Sequence, residues 1–138
     1  MANQTASARV RPQFRNLSLG QLASYRLPPA GLLSILHRVS GVLLFLMLPV
    51  LLWMFELSLK TESTYARLRV VFGGVLVKLV VLALVWAILH HLFAGIRYLA
   101  LDLHVGIAKE PSTRSALAVF AVSLALALIA ALWLFGVI

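Results

Sequence analysis

The chain has 138 residues, 62% of them hydrophobic and 12% charged, and it contains no cysteine. That composition excludes a soluble globular enzyme and leaves an integral membrane protein with one domain of a few spans. The missing cysteines exclude a disulfide framework, covalent c-type haem attachment and a thiolate-held iron–sulfur cluster; the formal charge of +8 reads as topology and headgroup contact, not nucleic-acid binding.

Residues 1–30 are polar and basic, with Arg9, Arg11, Arg15 and Arg26, and no acidic residue precedes Glu56. An extended or partly helical cytoplasmic arm is expected. Pro28 and Pro29 end any preceding helix and suit the entry to a span. An acid-free, arginine-bearing start is also the style of a transit peptide. The motif described below begins at Arg11, however, which leaves too little chain to cleave.

Three apolar segments follow, at residues 31–57, 70–101 and 115–138. A bilayer core takes roughly 20 helical residues, so each is long enough to cross it. The second has a surplus, which predicts tilt or an overhang into the interface. It also holds Lys78, His90, His91 and Arg97, whereas the third carries no charge. The connections are short, which predicts an all-α, three-span, up-down-up bundle over residues 31–138. Basic residues in the arm and around the second connection (Arg97, Lys109, Arg114) place both inside and the carboxyl terminus outside. Lys78 falls near the outer end, where it can snorkel, and takes no chemical role. Trp53, Trp86 and Trp133 serve as interfacial anchors or as packing residues. His104 and Lys109 read as solvated loop residues.

Ionisable groups inside a bilayer mark function by default. In the first span Ser34, His37, Arg38 and Gly41 fall within an arc of about 100° on one helix face. An arginine alone there would snorkel to headgroups; with Ser and His on the same stripe, ending in a small residue, the pattern is that of a pocket wall. In the second span Ala87, His91, Gly95, Tyr98 and Asp102 share a face, and His90 lies about 100° away. Neutral imidazole is a standard axial ligand for haem iron, and a small residue one turn along admits a flat macrocycle. A lone intramembrane histidine also serves as an interhelical hydrogen-bond partner.

Depth favours the haem reading. With the spans antiparallel, Arg38 lies roughly 10 Å into its span and His91 roughly 15 Å before Asp102. Both clusters therefore fall toward the inner leaflet. A haem on His91 would present its propionates to His37 and Arg38, groups suited to buried carboxylates. Ser34 and Arg38 are also placed to donate to a quinone carbonyl.

The motifs are Arg11-Pro12 in the arm, Ser34-Ile35-Leu36-His37-Arg38-Val39-Ser40-Gly41 at the first span, and His91 followed by Gly95-Ile96-Arg97 and Asp102. In order and spacing they resemble the cytochrome b subunits of succinate dehydrogenase, over most of residues 11–102. The resemblance implies His91 as the haem axial ligand and thus the iron-binding residue. It implies His37 and Arg38 at the haem propionates, and Ser34, Arg38 and Ile35 at the quinone. Tyr98 departs from the pattern, since many members carry a second His after Gly-Ile-Arg. The third span carries no motif.

By the same resemblance the chain is a membrane anchor in a bacterial inner membrane, binding haem b and either ubiquinone or menaquinone. Its partners would be a flavoprotein that oxidises succinate, an iron–sulfur subunit, and a second small anchor that completes the bundle and supplies the other axial histidine. The chain would pass electrons to quinone and would not itself oxidise succinate. Rival readings are a fumarate reductase anchor running in reverse, a haem-free structural anchor, and an ion-translocating subunit using Lys78, His91 and Arg38. The last would need substrate-binding acidic residues or broken helices in the spans, and the acids near a span, Glu56 and Asp102, sit at its ends.

Overall fold

The computed structural model describes Gly20 and residues 27–137; most of the amino-terminal arm, with Arg11-Pro12, Arg9, Arg15 and Arg26, lies outside the described residues. Among the described residues from 27 on, four helices run in order: α1, Pro29–Lys60; α2, Glu62–Gly73; α3, Val75–Asp102; and α4, Lys109–Leu134. There is no strand among the described residues. The fold is all-α, and α1, α3 and α4 are each long and apolar enough to cross a membrane.

Helix α1 starts where the prolines direct it. Pro28 is extended (φ −65°, ψ 156°) and Pro29 occupies the first helical position, where a missing N–H leaves no intrahelical bond unmade. The helix ends at Thr61, whose extended backbone opens α2 with a reciprocal cap. The Thr64 amide donates to Thr61 Oγ1 and the Thr61 amide donates to Thr64 Oγ1, both at 3.2 Å. The Thr64 hydroxyl also reaches the Leu57 carbonyl at 2.6 Å, tying α2 to the end of α1.

Helix α2 accounts for the surplus length of the second apolar segment. Hydropathy runs on without a break from Val70, but Gly74 is extended (φ −69°, ψ 136°) and α3 begins only at Val75. Residues 70–73 therefore close α2 instead of lengthening the span. At the other end of α3 the chain reverses through two left-handed residues, His104 (φ 62°) and Gly106 (φ 73°), before α4. A histidine there is among the residues that tolerate this conformation better than most, and glycine adopts it freely.

Side-chain pairings fix the relative directions of the long helices. His37 meets Tyr98 and Gly41 meets His91, so residue numbers rise along α1 as they fall along α3. Arg97 meets Ser112, His90 meets Phe120, and Lys78 lies 5.4 Å from the Phe135 ring, so α3 and α4 are antiparallel as well. The buried residues are mostly small: Ala87, Ala94, Ala116, Ala127, Ser40 and Ser123. Small side chains let helix backbones approach closely, which is how helices associate when lipid removes the usual hydrophobic driving force. By contrast, α1 keeps most of its surface bare: none of its most apolar window is buried. Trp53 and Trp133 are likewise exposed, while Trp86 packs inside against His90.

Candidate functional site

The two polar clusters of the sequence come together at the paired ends of α1 and α3. The rings of His37 and His91 stack with centroids 4.1 Å apart and planes 14° from parallel, and Tyr98 tilts against His37 at 5.1 Å. Gly95 lies beneath: a Cβ there would sit 3.8 Å from His37 Nε2.

The backbone of α1 orients the His91 ring. Nδ1 of His91 lies 3.1 Å from the His37 carbonyl oxygen and 3.2 Å from Ser40 Oγ. The Ser40 hydroxyl itself donates to that same carbonyl at 2.9 Å. With its proton committed there, Ser40 offers Nδ1 only a lone pair, as the carbonyl does. Both neighbours of Nδ1 are thus acceptors, and the nitrogen must carry the proton. In the neutral ring Nε2 then keeps the lone pair, and it makes no hydrogen bond among the described residues. The stacked His37 covers the face of the ring, whereas that lone pair projects from the ring edge. This is the condition a histidine must meet to ligate a metal.

Gly41 makes this contact possible. A Cβ at that position would fall 2.9 Å from His91 Cε1, closer than side chains approach one another. Ser40 and Gly41 close the motif Ser34–Gly41. Their roles in seating His91 escape a reading by helical phase alone, because what decides them is the hydrogen bond to a backbone carbonyl.

His90 has a different setting. It is fully buried, stacked between Trp86 at 5.0 Å and Phe120 at 5.4 Å, with neither ring nitrogen hydrogen-bonded among the described residues. It faces α4, and His91 faces α1. The two adjacent histidines are thus divided between the interior of the bundle and its α1 side.

Ser34, Ile35 and Arg38 stand near the start of α1. Ser34 is half-buried, and Ile35 and Arg38 are exposed. None of the three lines the grooves found between α3 and α4 or between α1 and α2. Arg97 is the residue whose place sequence reasoning missed. It is only 7% exposed, and its guanidinium clamps the start of α4. Nε donates to Ser115 Oγ at 2.9 Å, and Nη2 donates to the Ser112 carbonyl at 3.0 Å and hydroxyl at 2.9 Å. A basic residue within Gly-Ile-Arg near a span end reads as topology; only the packing of α3 on α4 reveals the burial.

Comparison with known proteins identifies the family of the whole chain. The succinate dehydrogenase/fumarate reductase transmembrane subunit family matches residues 10–130. The chain belongs to that family. It is 36% identical to the succinate dehydrogenase cytochrome b556 subunit of Coxiella burnetii over 114 residues, covering 82% of this chain and 91% of that one. It is 30% identical to the subunit of that name from Paracoccus denitrificans, covering 78% and 83% of the two chains. For Rickettsia felis the identity is 34% over 70% of each chain. Membership in the transmembrane subunit family makes this a multi-pass membrane component of an enzyme complex, with the other subunits of that complex as its partners.

Proposed function

We propose that this chain is the haem- and quinone-binding anchor of a succinate:quinone oxidoreductase, set in a bacterial inner membrane with its amino terminus in the cytoplasm. The observation that carries the reading is the His91 ring. Its Nδ1 lies 3.1 Å from the His37 carbonyl oxygen, a placement that in the neutral ring leaves the Nε2 lone pair for a ligand. His91 would hold haem b through that nitrogen, with a second histidine supplied by the other small anchor. When bound, the haem supplies a one-electron redox centre inside the bilayer.

The chain's own residues do the rest. His37 and Arg38 provide the donors and positive charge that propionates need when they leave water. Ser34 and Arg38 donate to a quinone carbonyl, whose basicity rises as the ring is reduced, and Ile35 forms part of the apolar wall. Reduction of the quinone takes two electrons and two protons. The electrons come from succinate, oxidised to fumarate on the flavoprotein, and reach this chain from the iron–sulfur subunit. The quinone is ubiquinone or menaquinone. The bare surface of α1 supports a second anchor packed beside this chain, because the exposed Arg38 and Ile35 need further walls to enclose a ligand.

Purification through a tag on this chain tests the proposal. A flavoprotein, an iron–sulfur protein and a second small membrane protein should co-purify, with a b-type reduced-minus-oxidised spectrum and succinate-dependent quinone reduction. A complete complex without the b-type spectrum would reduce the chain to a structural anchor.

A further inference from the structure

Arg97 is a buried cation without an anion. The chain has four acidic residues, Glu56, Glu62, Asp102 and Glu110. Glu56 pairs with Lys60 and Glu110 with Arg114, and none of the four forms an ion pair with Arg97. Its three bonds to Ser112 and Ser115 satisfy donors on Nε and Nη2 but do not balance the charge, and Nη1 donates to no described residue. Removing a cation from water is expensive unless a counter-charge accompanies it.

Arg97 also lines a groove of about 440 Å³ between α3 and α4. The groove is otherwise almost wholly apolar, walled by Phe93, Ile96 and Leu101 on one side and Pro111, Val119 and Val122 on the other. It begins at the connection after α3 and extends along the spans toward Phe93 and Val122. A single cation near the span end, with apolar walls leading away into the bilayer, is the complement of one anionic amphiphile.

We propose that this groove holds an anionic glycerophospholipid, its phosphate at Arg97 and one acyl chain along the Phe93–Val122 walls. A free phosphate would gain nothing from those walls, and an uncharged chain would leave the guanidinium uncompensated. The site faces α4, its lining includes neither His37 nor His91, and it does not depend on the haem and quinone assignments.

The test uses the purified, delipidated complex containing this chain, titrated with phosphatidylglycerol or with phosphatidylcholine of the same acyl chains. Native mass spectrometry then counts the bound lipid. Phosphatidylglycerol should occupy one site ahead of the rest, and phosphatidylcholine should not. Arg97→Gln keeps an amide to donate to Ser112 or Ser115 and should weaken that site about tenfold, the loss expected for one charge-assisted hydrogen bond. Ala118→Phe fills the groove while leaving the guanidinium in place, and should weaken the site at least as much. Equal phosphatidylglycerol affinity in wild type and Ala118→Phe would overturn the proposal, as would equal affinity for the two lipids. If Arg97→Gln fails to assemble, Ala118→Phe and the lipid comparison decide the matter alone.

Discussion

His91 Nδ1 lies 3.1 Å from the backbone carbonyl oxygen of His37, so the ring that faces α1 is held by the chain and not by another side chain alone. That bond separates His91 from its neighbour His90, whose ring nitrogens make no hydrogen bond among the described residues. The two positions should therefore respond oppositely to substitution.

His91→Ala should abolish the b-type absorption of the purified complex. His90→Leu should keep it. Replacing a buried group whose two nitrogens lack partners by an apolar side chain removes an unsatisfied polar group, worth about 1–3 kcal/mol. The melting temperature of the His90→Leu complex should accordingly equal or exceed that of wild type. A lost haem signal in His90→Leu, with the signal retained in His91→Ala, would reverse the assignment.

The two glycines at the site should differ in tolerance. A methyl at Gly41 would lie 2.9 Å from His91 Cε1, and one at Gly95 only 3.8 Å from His37 Nε2, an ordinary contact. Because its Nδ1 bond holds the His91 ring, Gly41→Ala should displace it and lower haem per flavin, while Gly95→Ala should leave the ratio near wild type. Ser40→Ala removes one of the two oxygens beside Nδ1 and should weaken haem retention by about tenfold, the lower end for an outer-shell partner of a metal ligand. Haem and flavin content of the assembled complexes measures all three.

Much of this arrangement is legible in the sequence. Helical phase divided His91 from His90, and antiparallel spans brought His37 and His91 to one depth, where their rings now stack. The end of α2 was not legible, because Val70 to Gly73 are as apolar as a span and hydropathy does not register the break at Gly74. The burial of Arg97 was hidden for a related reason: charge near a span end marks topology whichever way the side chain turns. The roles of Ser40 and Gly41 rest on a backbone carbonyl and a missing Cβ, which no pattern of side-chain types encodes.

Topology has its own test. With the amino terminus inside, the start of α2 faces outside and the connection before α4 faces inside. Ser63 and Ala108 are exposed and take no part in the His91 or Arg97 contacts. Ser112 would be a poor reporter, since it holds Arg97. A membrane-impermeant thiol reagent on intact cells should label Ser63→Cys and spare Ala108→Cys. Labelling of Ala108→Cys in intact cells would invert the orientation.

The most demanding prediction concerns Ser34 and Arg38, which stand near the start of α1, half-buried and exposed respectively. If they hold quinone against walls supplied by other subunits, Ser34→Ala should slow quinone reduction while an artificial acceptor still draws electrons from the dehydrogenase at the wild-type rate. One lost donor to a buried carbonyl is worth about 1–3 kcal/mol, or roughly 5- to 150-fold in rate or affinity. Arg38→Leu should do more damage, because it removes a delocalised charge proposed to serve both the quinone and a haem propionate. Arg38→Lys keeps the charge without the planar fork and should fall between them. The comparison requires assembled complexes normalised to flavin, with quinone reductase and artificial-acceptor activities measured side by side. Wild-type quinone turnover and affinity in both Ser34→Ala and Arg38→Leu would remove these residues from the quinone site. Arg38 would then be left as a headgroup anchor at the mouth of the first span.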